Sequence, residues 1–358
     1  MRRSFLFMLV CIMFLPLMTP VWSQDEFFTP TTTIGGYGEL HYNYSKMESQ
    51  DSEQLLDFHR FIIYYAHAWT EKWSLKSEVE LEHNLVGDGQ GELELEQAYI
   101  DYHHSDAFGF RAGVLLTAAG LINEFHEPPL FLSVERPAYN KYIIPTTWFG
   151  NGAGIYGRAN GFSYRLNVME GLDGSAFSAA TGIRGGREKG YKANAEALLY
   201  NAALDYRGLP GTRIGVSVTT NNAVVNDSVN NAINLMEFHA QYEAHHIFAA
   251  VEFGNLTFDN GPVETARGFY VDLGYEIGHW FNQNTRIMPW LRYTDYNTAA
   301  VTQAGGNSQK ANHHQKWLVG IAVKPIPQVV FKVDYGVDTI ELNDQSTTLF
   351  NLGAGYMF

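Results

Sequence analysis

Apolar side chains recur at every second position along most of this chain, in short runs broken by glycine, proline and polar residues. Met236, Phe238, Ala240 and Tyr242 alternate with Glu237, His239, Gln241 and Glu243, and Trp317, Val319, Ile321 and Val323 alternate with Lys316, Leu318, Gly320, Ala322 and Lys324. Likewise Phe269, Val271, Leu273, Tyr275 and Ile277 alternate with Tyr270, Asp272, Gly274, Glu276 and Gly278. A period of two places the two sets on opposite faces of a strand, one apolar and one polar or charged. Strands are predicted at 32-45, 56-69, 73-85, 91-103, 108-119, 150-160, 162-170, 195-207, 212-222, 233-245, 247-258, 267-280, 285-296, 314-325, 328-339 and 347-358. Their length suits tilted membrane strands of about 9 to 11 residues with short extensions.

The last run sets Phe350, Leu352, Ala354, Tyr356 and Phe358 on one face and Leu349, Asn351, Gly353, Gly355 and Met357 on the other. A terminal apolar strand needs cover in water, but it suits a barrel whose last strand pairs with its first and faces lipid. The connections sort in the same way. Short ones, such as Thr70 to Lys72, Asn160 to Gly161, Gly208 to Gly211 and Pro325 to Gln328, alternate with long ones at 120-149, 171-194, 223-232 and 297-313. All long loops then lie on one side, as in barrels with short periplasmic turns and long external loops. The expected fold is an all-β transmembrane antiparallel β-barrel of sixteen strands. Sixteen strands leave an aqueous channel where eight would be filled by their own side chains.

The start of the chain has another pattern. Arg2 and Arg3 precede an apolar run from Phe5 to Met18, and Val21, Trp22 and Ser23 lie before an expected cut ahead of Gln24. Residues 1-23 therefore read as a secretory signal peptide and 24-358 as the exported barrel. The one cysteine, Cys11, falls inside the leader, so the exported part is expected to have no disulfide and no sulfur metal ligand. No stretch reaches the roughly 20 apolar residues of a membrane helix.

Composition changes the picture in two ways. Aromatics at 14% and 34 glycines coexist with a slightly negative mean hydropathy of −0.18, as outward apolar and inward polar alternation would produce. Lys and Arg number 24 against 38 Asp and Glu, which argues against a nucleic-acid partner. Trp69, Trp73, Tyr102, Trp148, Trp280, Phe281, Trp290 and Phe358 are candidates for the interfacial aromatic girdles. Inward phases carry Arg60, Lys76, Arg111, Arg165, Arg213, Arg286, Arg292, Lys316, Lys324 and Lys332. They face Glu39, Glu78, Glu80, Glu82, Glu92, Glu94, Glu237, Glu243, Asp272, Glu276, Asp334 and Asp338. Either a mixed-charge wall that pairs internally or a transverse field across the channel fits this set. In the fourth strand Leu93 and Leu95 point one way and Ala98, Ile100 and Tyr102 the other, which predicts a bulge near Glu96 or Gln97.

The connection 120-149 is too apolar for a solvated loop, and Pro128, Pro129, Pro137 and Pro145 stiffen it. Folding into the barrel supplies its cover. Glu124, His126, Glu127, Glu135, Arg136 and Lys141 are the candidate constriction residues, either reaching the solute path or pinning the loop to the wall. The pairs His103-His104, His245-His246 and His313-His314 are poor chelates, since strand neighbours point to opposite faces. No metal or cofactor is expected from them. No Gly-x-Ser-x-Gly elbow, His-Glu-x-x-His or phosphate-cradling loop occurs, and the short stretch 24-31 before the first strand leaves no room for a plug. No enzyme is expected.

The runs Ile34 to Asn43, Asp57 to Phe61, Glu78 to His83, Glu92 to Tyr102, Glu127 to Pro129, Val134 to Pro137, Ile144 to Trp148 and Gly152 to Gly157 resemble the phosphate-selective porin O and P family, most densely over 32-160. The resemblance implies a trimeric outer-membrane porin, in a bacterium of the Gram-negative type, passing small hydrophilic solutes or ions, phosphate or other anions among them. The arginine ladder and lysine cluster of its phosphate-selective members do not map residue by residue onto this chain. The end at Tyr356 and Phe358 resembles the insertion signal of outer-membrane barrels, which are delivered to lipid by barrel-assembly machinery. The competing reading is a sealed barrel acting as a surface binding or adhesion protein, or as a hydrolase built around His239.

Overall fold

The computed structural model describes residues 28–48, 50–87, 90–281, 284–303 and 306–358; the expected leader lies outside the described residues. Sixteen antiparallel strands close into one barrel. They are β1 (Thr31–Met47), β2 (Glu53–Ala68), β3 (Trp73–Glu82), β4 (Leu93–Ser105), β5 (Phe108–Leu116), β6 (Phe149–Ala159), β7 (Phe162–Met169) and β8 (Leu199–Tyr206). The second half is β9 (Thr212–Asn226), β10 (Val229–Ala244), β11 (Ile247–Phe258), β12 (Val263–Tyr275), β13 (Arg286–Thr302), β14 (His313–Ile326), β15 (Val329–Ile340) and β16 (Gln345–Met357). Each strand pairs with its sequence neighbours, and β1 pairs with β16 from Tyr37 opposite Met357 to Met47 opposite Thr347. Just below that ladder Gly36 and Phe358 exchange backbone hydrogen bonds of 3.0 and 2.9 Å, so the last residue completes the closure. No open edge remains, as hydrocarbon requires.

Alternation sorts the faces as the sequence predicts. Met236, Phe238, Leu273, Trp317, Val319 and Leu352 are exposed on the outer face, whereas Glu237, His239, Asp272, Leu318 and Asn351 are buried on the inner one. The register between β3 and β4 shifts after Glu78, which faces Gln97, while Val79 faces Leu95. Glu96 is the extra residue of that predicted bulge, and Glu78, Glu80 and Glu96 are all buried.

Three expectations need correction. The expected long loop at 223-232 is a tight hairpin, because β9 and β10 run on past the apolar band through asparagine-rich pairs such as Asn222 with Ala232 and Asn230 with Val224, and the Asn226 side chain accepts from Ser228 N to make the turn. Strand β13 continues to Thr302, which shortens the loop expected at 297-313. Trp148 and Trp290 are buried, 2% and 5% exposed, in the interior cluster and are not girdle residues; Trp69, Trp73, Trp280, Phe281 and Phe358 remain exposed. Among the described residues no helix is long and apolar enough to span a membrane.

Candidate functional site

The segment between β5 and β6, 117-148, packs against inward residues of the wall. It leaves β5 through Gly120, whose positive φ of 69° a side chain would strain and whose added Cβ would lie 2.2 Å from the Glu252 carboxylate. Asn123 then ties the two ends of the segment together, donating to Thr117 O and Trp148 O and accepting from Trp148 N. Wall glycines make room for the rest of the segment. A Cβ on Gly254 would meet Tyr139, on Gly353 would meet Val134, and on Gly355 would meet Pro128. Leu121, Ile122, Phe131, Leu132, Tyr139, Ile143 and Ile144 are buried with inward residues of the wall.

Polar contacts fix the segment to strands on many sides of the barrel. Val134 N donates to Asp334 at 2.7 Å on β15, Lys332 Nζ donates to Ser133 O at 2.7 Å, and Lys324 donates to Pro129 O on β14. Arg292, buried on β13, binds both oxygens of Asp272 at 2.6 Å and also donates to Ser133. On β11, Glu252 accepts from Asn140 and from Tyr270. Arg184 and Arg187, from the long connection after β7, donate to the carbonyls of Thr146, Pro145 and Thr147.

Of the sequence-predicted residues, Glu124, His126, Glu127, Glu135, Arg165 and Lys324 take part in contacts between the segment and the wall, whereas Lys76, Arg111, Lys141, Lys316, Tyr356 and Phe358 stand outside them. Glu124 pairs with Arg165 at 2.7 Å, and Arg165 also holds Asp205 on β8. Glu127 accepts from Tyr64 at 3.3 Å, and Glu135 accepts from His41 and Asn43, each at 2.9 Å. His126 is buried and faces Glu78 and Glu96. Arg136 donates to Thr147 within the segment, and Lys141 is exposed beside the Tyr142 ring. Arg60 joins Glu39 at 2.8 Å to Glu80 at 3.3 Å, and Lys76 pairs with Asp101 at 2.9 Å. Arg111 lies between the Tyr156 ring and Asp101, while Lys316, half-buried on β14, stands opposite Asp338 on β15. Tyr356 and Phe358 stack with centroids 6.5 Å apart, and Phe358 also stacks on Phe61.

Sequence reasoning missed the partners that receive the segment, above all His41, Asp205, Glu252, Arg184 and Arg187. The Gly-rich run Thr181-Gly-Ile-Arg-Gly-Gly-Arg187 was a signal for the last two, since it spaces two guanidiniums on a backbone free to bend. His239 lies between Asp205 at 2.8 Å and Glu237 at 2.9 Å, and Ser217 donates to Glu237. Both ring nitrogens are occupied, and the carboxylate stands between serine and histidine, the reverse of a nucleophile-base-acid order.

Below the segment, on the side of the short turns, lies a cavity of about 660 Å³. Arg158, Arg165, Arg207, Arg213, Arg286 and Lys324 line it together with Glu243 and Asp272, and behind the lining Arg158 pairs with Asp106, Arg165 with Glu124 and Asp205, Arg213 with Asp205 and Arg286 with Glu243. Leu121, Ile122, Phe125, Pro129, Leu130, Phe131 and Leu132 form its apolar side. The opposite side of the segment is richer in carboxylates, with Glu39, Asp57, Glu80, Glu82 and Glu135 on or beside β1, β2 and β3.

A closed sixteen-stranded barrel with an apolar outer belt and a charged interior defines an outer-membrane channel of the porin class. Comparison with known proteins narrows the class. Residues 34–243 match the sequence profile of phosphate-selective porin O and P, and the chain belongs to that family. An uncharacterized protein of Aquifex aeolicus (strain VF5) is 33% identical over 328 residues, covering 85% of this chain and 74% of the relative. The solved structure of Salmonella typhi OmpF in complex with daunomycin is similar at a TM-score of 0.64 and 11% identity, covering 91% of this chain and 97% of that one. The anion-selective porin from Comamonas acidovorans is similar at 0.61 and 10% identity, covering 92% and 100%. The protein is thus an outer-membrane porin.

Proposed function

We propose that this porin favours small anions, that the segment 117-148 is its constriction, and that the basic cavity beneath it is where anions collect. The carrying observation is the excess of cations, Arg158, Arg165, Arg207, Arg213, Arg286 and Lys324, over Glu243 and Asp272 in the lining of that cavity. Passing ions respond to the local field of the narrow part, so an acidic total over the whole chain does not oppose this reading. The apolar underside of the segment beside fixed guanidiniums suits organic carboxylates and phosphates better than small cations. A similar fold in the Comamonas acidovorans anion-selective porin agrees with the reading without carrying it.

The same reading takes 1-23 as the leader and Tyr356 with Phe358 as the insertion signal for the barrel-assembly machinery. A homotrimer is the assembly that the family resemblance implies. His239 acts as a wall residue holding Asp205 and Glu237, so we assign no catalytic step. Liposome swelling tests the selectivity. Sugar acids should enter faster than neutral or cationic sugars of similar size, and Arg207→Glu with Arg158→Glu should remove most of that preference. Equal entry of all three classes in the wild type would contradict it.

A further inference from the structure

The bulge between β3 and β4 gathers a set of side chains that the channel reading does not use. The Nε2 of His126 lies 3.2 Å from Glu96 Oε2 and 3.5 Å from Glu78 Oε1. All three ligand atoms lie within 4.8 Å of one another, and all three residues are buried, at 1 to 2% exposure. A direct charge-assisted hydrogen bond would be about 2.7 to 2.9 Å. Atoms bound to a tetrahedral zinc at about 2.0 to 2.2 Å stand about 3.3 to 3.6 Å apart. The 3.2 Å contact to Glu96 serves as a hydrogen bond in the metal-free site, and the 3.5 Å spacing to Glu78 is the one a bound zinc would span.

Two of the three groups, His126 and Glu78, are aimed by an outer partner. His126 Nδ1 donates to Asn123 O at 3.1 Å, which turns Nε2 toward the two carboxylates. Asn123 is itself held at both ends of the segment by Thr117 and Trp148. Gln97 Nε2 donates to Glu78 Oε2 at 2.6 Å, leaving Glu78 Oε1 buried, directed at His126 and without a hydrogen-bond partner among the described residues. Outer-sphere contacts of this kind, a backbone carbonyl on the remote imidazole nitrogen and an amide on the remote carboxylate oxygen, are those that orient metal ligands.

We propose that His126, Glu78 and Glu96 form a zinc site that clamps the segment 117-148 to β3 and β4. Two carboxylates balance the dication, and the neighbouring Glu80 is answered by Arg60. Arg136, whose charge also reaches His126, works against the metal and moderates its affinity. The fourth coordination position is left to water. Access is through the adjoining cavity of about 520 Å³, which Gln97, Glu124 and Glu127 line. Glu96 keeps the inward phase of Glu94, and the extra residue at the bulge brings Gln97 opposite Glu78 as well, where its amide orients the Glu78 carboxylate. Binding does not depend on anion selectivity; only the consequence, a constriction held rigid by metal, rests on the segment being the constriction.

The test loads the full exported channel, purified in detergent after chelation, with zinc chloride, desalts it and measures retained zinc by mass spectrometry. The wild type should retain one zinc per chain. The double variant His83→Asn and His246→Asn, which removes exposed imidazoles elsewhere, should retain the same amount, while His126→Gln and Glu96→Gln should lose it. Retention by His126→Gln equal to the wild type, or no retention by the wild type, would overturn the proposal. X-ray absorption on the loaded wild type guards against misfolded variants: a first shell with a single imidazole and oxygen neighbours supports the site, and two or more imidazoles refute it. Ion selectivity is a separate readout, so a failed anion preference beside retained zinc would sink the channel reading and leave the site standing.

Discussion

Arg292 and Asp272 show how a charge is kept inside this barrel. The guanidinium is 1% exposed and bound bidentately, so Arg292→Ala would leave a buried carboxylate with no counter-charge. That truncation should cost about 3 to 5 kcal/mol, read from the urea midpoint in lipid vesicles, and removing both charges with Asp272→Leu and Arg292→Met should recover most of it. Equal losses in the single and double variants would mean that packing, not charge, holds the site. Glu135 behaves differently because its side chain is 42% exposed. Burial pushes its carboxyl up, but hydrogen bonds from His41 and Asn43, with the charges of His41 and His59, hold it well below the ordinary carboxylate range. Lys141 and Lys316 also act on it. A lowered carboxyl contributes its anchoring above its unfolded value of about 4.3 and loses it only as pH falls through the lower folded value. Gating noise in single-channel records should therefore stay level from pH 7 to about pH 4, and Glu135→Gln should be noisier throughout. A wild-type rise in noise centred on the ordinary carboxylate range would contradict the anchor.

At the scale of elements, the strand faces make the sharpest contrast. Val319, half exposed on the outer face of β14, should cost about 2 to 4 kcal/mol as Val319→Arg near the midplane. Lys316→Gln on the inner face of the same strand should leave the midpoint within about 0.5 kcal/mol. Similar losses would undo the assignment of faces. Removing Phe358 deletes both closing bonds to Gly36 and is expected to slow insertion more than it destabilises barrels already inserted, as refolding kinetics and urea midpoints would separate. Strands were legible in the sequence because a period of two under one-sided burial is a local signal. The conflict of phase between Leu95 and Ala98 even revealed the bulge. The hairpin at Asn226 to Val229 was not legible, since strands that outrun the membrane lose their apolar face and read as loop. Partners of the segment 117-148 were hidden for another reason. His41 and Glu135 are 94 positions apart, and Val134 and Asp334 are 200 apart, so only closure of the barrel brings them together.

Across the whole molecule, charge is arranged along the channel rather than spread evenly. Near β1 to β3 the carboxylates Glu39 and Glu80 share Arg60, while six cations, several of them paired with Asp106, Asp205 or Glu243, line the cavity of about 660 Å³ below the segment. The net charge of −14 is therefore a poor guide to what passes. The signs of the inward residues were legible from strand phase, but not which of them line the cavity, because that depends on where one loop crosses the interior. On the reading proposed above, ion preference is set at the constriction and the basic cavity beneath it. The most direct measurement is the reversal potential of the purified channel in a planar bilayer under a gradient of potassium chloride. A chloride-favouring potential, reduced when phosphate is added, is the predicted result. A potassium-favouring potential indifferent to phosphate would contradict the account.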